Sequence, residues 1–278
     1  MARSTCLFHD CMCSLQPCLP TGSMTRNQIK KEFIRVLRSG RLIDLDRKDQ
    51  IEVFNGAMDR YADIIHAFQD RHRVLDVGCA GGVMLSMLSE LGHECHGVDI
   101  IDRAPEFPNI YKDKKIPFAV SNAEVDPLPY PDDYFDAVAC GQCIEHFTHS
   151  PRHALQEFRR VLKPGGLVEI DVPNVACFHN RSRLLRGKNI TWDFETAYFD
   201  VEPIQQGNMS FFPMRHNHEY TKAELEVLLQ RSDFNEVNVI YNKSCHYRTG
   251  WECIRSIGSA ARDLIPSFRK SLIGFGIK

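Results

Sequence analysis

The chain has 278 residues, of which 43% are hydrophobic and 25% are charged, and its formal net charge is −2 at pH 7. This length allows one large α/β domain, with or without an added lid. The near-zero charge provides no overall basic field for nucleic acid or an anionic membrane, and no run of about 18 apolar residues predicts a transmembrane helix. We therefore expect a globular, cytoplasmic protein.

The first predicted region is a cysteine-rich tail over residues 1–24. Cys6, Cys11, Cys13 and Cys18 all lie in this tail. Their spacing lacks the paired C-x2-C knuckles of structural zinc sites, and polar residues interrupt the only stretch that resembles a secretory signal. We expect a disordered tail with reduced thiols, with a zinc site as the alternative.

A helical region and then an alternating pattern follow the tail. Residues 25–72 predict a helical cap, because apolar residues recur at helical spacing from Ile29 to Leu37 and from Gln50 to Gln69. From Arg73 onward, short apolar strands alternate with amphipathic helices, which predicts a mostly parallel sheet with helices on both faces. The predicted strands are Val74–Val77, Glu94–Val98, Ile116–Val120, Tyr134–Ala139 and Gly166–Val172, and the predicted helices between them include Val83–Leu91 and His153–Leu162.

The alternation pauses in residues 174–220, which predict a substrate-side insertion that is irregular and aromatic up to Pro213. Thr221 and Glu224 then have the spacing of a capping box at the start of a helix. A further strand is predicted in residues 237–241 and a last one in residues 271–278, although two glycines are unfavourable in the last strand.

A glycine-rich turn follows the first predicted strand, in the stretch from Asp76 to Gly82. A charged cofactor that lies across a strand-to-helix turn requires small residues, because only these let the backbone approach it closely. Asp99 ends the next strand, where a carboxylate can accept hydrogen bonds from both hydroxyls of a ribose. A nicotinamide or flavin enzyme is the nearest alternative, but its G-x-G-x-x-G pattern does not fit this turn.

This turn resembles motif I of class I S-adenosylmethionine-dependent methyltransferases, whose pattern is D-x-G-x-G-x-G. Asp76, Gly78 and Gly82 match that pattern, and Ala80 stands at its middle glycine. Three further stretches resemble the same family in the correct order, namely residues 122–136, 140–146 and 162–166.

The resemblance implies an α/β, Rossmann-like doubly wound domain over residues 73–278, with a seven-stranded sheet whose last strand is antiparallel. The helical cap precedes this domain, and the insertion follows its fifth strand. The resemblance also implies S-adenosyl-L-methionine as cofactor, with Asp99 at the ribose and Asn122 at the adenine amine. The residues implied to bind the cofactor are Asp76, Gly78, Cys79, Ala80, Gly81, Gly82, Asp99, Ile100, Asn122, Ala123, Cys140, Gly141 and Gln142.

Three histidines are the candidates for catalysis. If the methyl acceptor is a hydroxyl, a general base helps to remove its proton, and an imidazole titrates near neutral pH. His146 lies just past the fourth strand, while His216 and His218 lie in a stretch that resembles methyltransferases of glycan and small-molecule biosynthesis. Each histidine has an alternative structural role, in a helix cap or a solvated loop.

A divalent metal is not expected. Some related methyltransferases hold a metal with an E-x-x-E-H arrangement after the fourth strand. Here Gln142 stands in place of the first glutamate, and an amide is a poorer ligand for a hard cation than a carboxylate.

The expected function is O-methylation of a small molecule, a sugar or a lipid-linked intermediate. Two alternatives stay open: an RNA-terminal 2′-O-methyltransferase and a non-catalytic protein that keeps the fold. The cations Arg181, Arg183, Arg186 and Lys188 are the feature that favours RNA, although such a cluster usually forms a solvated helix face and could also contact a phosphate or an anionic lipid. The lack of a basic stripe makes nucleic acid an unexpected partner, and the sequence does not predict the oligomeric state.

Overall fold

The structure is a computed structural model that describes residues 23–38, 48–191, 193–242 and 262–278. Nearly all of the predicted tail, including its four cysteines, lies outside the described residues. No helix among the described residues has both the length and the apolar character that crossing a membrane requires. The helices are α1 (Arg26–Arg38), α2 (Lys48–Phe68), α3 (Val83–Glu90), α4 (Pro108–Tyr111), α5 (Arg152–Val161), α6 (Phe178–Leu185) and α7 (Lys222–Gln230).

Seven strands form one mixed sheet, with the order β3-β2-β1-β4-β5-β9-β8. The pairs among the first five strands are parallel, whereas β9 is antiparallel to both β5 and β8. The predicted seven-stranded sheet with an antiparallel last strand is confirmed. The strands are β1 (Arg73–Val77), β2 (Glu94–Asp99), β3 (Phe118–Val120), β4 (Phe135–Gly141), β5 (Leu162–Pro173), β6 (Ile204–Gln206), β7 (Met209–Phe211), β8 (Asn235–Asn242) and β9 (Ser271–Ile277), of which β6 and β7 pair in a separate hairpin.

Hydrophobic side chains fill both faces of the sheet. On one face, Phe33 of α1 and Phe68 of α2 are fully buried together with Leu85 of α3. On the other face, Phe158 of α5 and Leu225 of α7 are fully buried against the central strands. Because helices cover both faces, the buried positions of the central strands are mostly apolar, with Asp76, Glu169 and Asp171 as buried exceptions.

Helix α7 explains Gly274, one of the two glycines of the last strand. The predicted capping box is present: the Thr221 hydroxyl accepts from the Glu224 N–H, and the Glu224 carboxylate accepts from the Thr221 N–H at 2.7 Å. The helix then packs on β9, where a Cβ at Gly274 would lie 3.0 Å from a Leu229 methyl group. Glycine therefore lets α7 approach this strand closely.

The structure corrects three predictions about local structure. The segment from 174 to 213 is not irregular, because it contains α6, a π-helical turn at Glu195–Phe199 and the β6–β7 hairpin. Strand β5 begins at Leu162, which pairs with Phe135, and not at Gly166. A short 3-10 turn and α4, each with a proline in its first turn, lie between β2 and β3 and were not predicted.

Candidate functional site

A cavity of about 180 Å³ lies at the carboxyl ends of β1, β2 and β4. The strand order reverses between β1 and β4, and ligands of open α/β sheets bind at such a reversal. The lining includes eight of the predicted site residues, which are Gly78, Ala80, Asp99, Ile100, Asn122, Ala123, Gln142 and His146.

The turn after β1 forms one wall of the cavity. Gly78 has φ 75° and Gly82 has φ 69°, which is the left-handed region that favours glycine. Ala80, at the family's middle glycine, also has a positive φ of 44°. Its N–H donates to the Asp99 carboxylate at 2.9 Å, and the Ile101 N–H donates to the other oxygen at 3.0 Å. An ionised carboxylate can accept about four hydrogen bonds, so Asp99 retains acceptor capacity for ribose hydroxyls.

The insertion borders the side of the cavity that Asn122 lines. Asn122 is buried, its side-chain oxygen accepts from the Glu124 N–H, and its amide donates to the side-chain oxygen of Gln206 at 2.9 Å. Gln206 belongs to β6 and in turn donates to the Asp126 carboxylate. The residue predicted to contact adenine is therefore bonded to the substrate-side insertion, which its sequence position did not indicate.

Several predicted cofactor residues support the cavity from behind. Burial, together with the charges of Asp171 and Asp99, raises the pKa of Asp76 well above its usual range. The Tyr111 hydroxyl contacts the Cys79 sulfur at 3.3 Å and donates to the Ala80 carbonyl at 2.8 Å. The predicted cofactor residues that do not line the cavity are Asp76, Cys79, Gly81, Gly82, Cys140 and Gly141, and their contribution to cofactor binding stays a prediction. Of the candidate catalytic residues, His216 and His218 also lie outside the lining.

A buried polar cluster anchors Gln142. The Gln142 side-chain amide donates to the Asp171 carboxylate at 2.7 Å, and its backbone N–H donates to the Asp171 carbonyl at 2.8 Å. Arg60 of α2 lies 3.3 Å from the same carboxylate, whose side chain is 1% exposed. Burial opposes the charge of Arg60, but the neighbouring carboxylates outweigh it, so the pKa of Arg60 is raised.

The cluster was missed by the sequence analysis. Its signal was the alternation of Glu169 and Asp171 with apolar residues in a central strand, which indicates a polar patch on one buried face. Arg60 gave no comparable signal, because it follows the same helical pattern as its neighbours. Arg103, Phe147 and Met214 also line the cavity and were not predicted.

Two of the three candidate histidines lie together. The rings of His146 and His216 are 4.7 Å apart and pack edge to face. His146 Nδ1 lies 3.0 Å from the Arg215 carbonyl oxygen, and His216 Nδ1 lies 3.0 Å from a Glu219 carboxylate oxygen. Since both partners are acceptors, each Nδ1 carries a proton, and the Nε2 of a neutral His146 is left with a lone pair.

Burial is the main cause of the altered pKa of His146. Burial and the neighbouring His216 lower that pKa to about 4, although the hydrogen bond to the Arg215 carbonyl raises it in part. His146 is therefore a neutral imidazole at neutral pH. His218 lies apart from this pair, because its ring packs on Tyr220.

Glu145 lies beside the two histidines, and among the described residues neither of its carboxylate oxygens has a hydrogen-bond partner. Burial raises the pKa of this fully buried side chain to about 8. Three possible metal-ligand atoms lie within 4.8 Å of one another, one each from Glu145, His146 and His216. A metal ion could bind between atoms at this spacing. Gln142 turns instead toward Asp171, and the expectation that no metal is required stays a prediction.

Comparison with known proteins agrees with this geometry. The family model described as a methyltransferase domain matches residues 50–239, which is more than half of the chain. A ubiquinone biosynthesis O-methyltransferase from Thiobacillus denitrificans is 29% identical over 99 residues, covering 34% of this chain and 42% of that protein. A ubiquinone/menaquinone biosynthesis C-methyltransferase from Vibrio vulnificus is 34% identical over 102 residues, covering 34% and 38%. The chain thus aligns with about two fifths of the length of these relatives.

Solved structures of methyltransferases share this fold. A SAM-dependent methyltransferase from Archaeoglobus fulgidus superposes with a TM-score of 0.54 at 22% identity, covering 82% of this chain and 94% of that one. The sheet order, the motif at the cavity wall and the family match agree with one another. The chain therefore belongs to the methyltransferase domain family and has the fold of class I S-adenosylmethionine-dependent methyltransferases.

Proposed function

We propose that the enzyme methylates a hydroxyl oxygen of a small, ring-bearing molecule, with His146 as the general base. The observation that carries this proposal is the fixed tautomer of His146 at the cavity wall, which leaves Nε2 as a proton acceptor. Phe147, Pro213 and Met214 supply an apolar part of the same wall. The names of the relatives point to quinone precursors, and the RNA-terminal and non-catalytic alternatives gain no support from them.

The chemistry requires alignment more than charge. When bound, the cofactor supplies a methyl group activated by a positive sulfonium, and that charge disappears as the methyl group leaves. A wall with a neutral His146 does not stabilise the charged ground state, so it does not oppose the transfer. As the acceptor oxygen bonds to the methyl carbon, the hydroxyl proton passes to Nε2 of His146.

His216 and Glu219 position the base. The Glu219 carboxylate fixes the His216 ring through Nδ1, and that ring packs edge-on against His146. Glu219 also accepts a hydrogen bond from the Asn180 amide at 3.1 Å, which limits its rotation. The arrangement holds the proton-accepting atom of His146 at one place in the cavity, which favours a near-attack geometry.

The test compares His146→Asn with His218→Asn, which removes an imidazole outside the pair. Methyl transfer from labelled cofactor is measured on a panel of catechols, simple phenols and prenylated phenols. Loss of a general base lowers rates by about 10²–10⁴-fold, so we expect a fall of at least about 100-fold in kcat for His146→Asn, and near wild-type turnover for His218→Asn. Equal turnover in both variants would exclude His146 as the base.

The pH profile provides a second readout. Because the pKa of His146 is lowered to about 4, the imidazole stays unprotonated well below neutral pH. We expect kcat/KM to fall only as the pH approaches about 4, since this parameter reports the pKa values of the free enzyme. An acid limb near pH 6.5 would assign the base to an unperturbed histidine.

A further inference from the structure

The insertion carries a group of exposed basic and apolar side chains at the end of α6. Leu184 is 59% exposed and Leu185 is 89% exposed, although both are large hydrophobic residues. Arg181, Arg186 and Lys188 are exposed around them. We call these five residues the basic corner. Contiguous apolar patches on a protein surface often mark a contact with a partner or a membrane, and the two leucines are adjacent and exposed.

The charge of this region is one-sided. Residues 178–191 contain four arginine or lysine residues and no aspartate or glutamate, whereas the whole chain has a net charge of −2. In the described part of the chain, Arg181, Arg186 and Lys188 have no carboxylate within ion-pair distance. The Nε groups of Arg181 and Arg186 donate to backbone carbonyls at 2.6 and 2.9 Å. These bonds hold the side chains in place without neutralising their charge.

We propose that the basic corner docks the enzyme on the surface of an anionic lipid bilayer. Lysine and arginine next to a membrane surface attract acidic headgroups, while apolar side chains enter the boundary between headgroups and acyl chains. The basic corner presents both features on one short helix and its following turn. A free phosphate would satisfy the cations but leave Leu184 and Leu185 in water, so the two leucines favour a lipid surface.

The same insertion leads from the surface to the histidine pair. Phe194 is 63% exposed and stacks on Tyr198. The Tyr198 hydroxyl donates to the His216 carbonyl, and the Arg215 guanidinium lies 5.4 Å from the Tyr198 ring centre. If the proposed function holds, docking brings Phe194 and Tyr198, which lead to the histidine pair, close to the membrane. A hydrophobic methyl acceptor would be dissolved in that membrane. Docking itself is independent of that function.

Vesicle flotation of the full chain without cofactor tests the docking. Vesicles of phosphatidylcholine mixed with phosphatidylglycerol are compared with vesicles of phosphatidylcholine alone, at low and at high salt. We expect binding to the anionic vesicles and its loss at high salt, because screening weakens the attraction. The double variant Arg186→Gln/Lys188→Gln should bind about 30-fold more weakly, given about a fivefold contribution from each basic residue.

Two further variants separate the apolar from the electrostatic contribution. Leu184→Ser/Leu185→Ser should bind at least about tenfold more weakly at unchanged charge. The matched control for charge is Lys112→Gln/Lys115→Gln, which removes two exposed cations next to α4. We expect this control to bind like the wild type.

Three outcomes would overturn the proposal. The folded wild type could fail to bind anionic vesicles, or the Lys112/Lys115 control could lose as much binding as the Arg186/Lys188 variant. Tighter binding of a single-stranded RNA oligonucleotide than of anionic vesicles would assign the cations to nucleic acid. Because no methyl acceptor enters the assay, these outcomes do not depend on the proposed reaction.

Discussion

Replacing Arg60 by methionine should destabilise the fold more than any loss of a surface ion pair. Arg60 is the cation beside Asp171, and the carboxylates of Asp76 and Glu169 are buried in the same cluster. Methionine preserves the unbranched shape but leaves Asp171 without its charged partner. Breaking a buried pair by removing one partner costs about 3–5 kcal/mol, and we expect the free energy of unfolding to fall by that amount at pH 7.

The pH dependence of this loss tests the electrostatic origin. Burial already raises the pKa of Asp171, and Arg60 lowers it in part, so the pKa should rise further in Arg60→Met. A carboxyl with a raised folded-state pKa costs stability that grows as the pH rises from its unfolded-state pKa to its folded-state pKa. The difference between variant and wild type should therefore shrink from pH 7 to pH 5.

Urea unfolding followed by circular dichroism at both pH values measures this difference. The control is Arg35→Met, which removes an arginine paired with Glu32 on the surface of α1, with a side chain 61% exposed. Exposed pairs contribute about 0–1 kcal/mol, so this variant should be close to wild type at both pH values. A loss in Arg60→Met that is equal at pH 7 and pH 5 would refute the electrostatic account and indicate lost packing.

Two further predictions concern the cofactor and the metal. In calorimetric titration, Asp99→Ala should bind S-adenosylmethionine at least about tenfold more weakly than wild type, which is a loss of about 1.4 kcal/mol of binding free energy. The reason is that the ribose loses its acceptor and the Ala80 N–H loses its partner. Unchanged affinity would show that Asp99 does not contact the cofactor. Dialysis against EDTA should leave turnover unchanged at pH 7. A pKa of about 8 keeps the Glu145 carboxyl protonated, and a proton competes with a cation for that oxygen. Activity that is lost on EDTA treatment and restored by Mn²⁺ would contradict this prediction.

The parts of the fold that the sequence predicted are those encoded locally. The turn from Asp76 to Gly82 and the capping box at Thr221 and Glu224 depend on residues a few positions apart. Strand and helix periodicity is equally local, which is why the sheet could be anticipated. Asp99 was found because a βαβ unit brings the ends of adjacent parallel strands to one edge.

The parts that escaped prediction depend on contacts between distant segments. Arg60 meets Asp171 only after α2 packs on the sheet, and nothing in the helical pattern separates it from a solvated arginine. The structure of residues 174–213 was also missed, because α6 and the β6–β7 hairpin are short and amphipathic signals need longer windows. His146 and His216 were proposed separately, and only the fold brings their rings into contact.

The hydrogen bond between Asn122 and Gln206 couples the cavity wall to the insertion, so a mutation in one affects the other. Asn122 lines the cavity and is predicted to contact the cofactor, while Gln206 belongs to the insertion and is also held by Asp126. A change in the hairpin that is intended to alter acceptor preference therefore also disturbs the residue predicted to contact adenine. Variant libraries of this insertion have to be scored for cofactor affinity as well as for product, because apparent changes in substrate choice will include changes in cofactor occupancy.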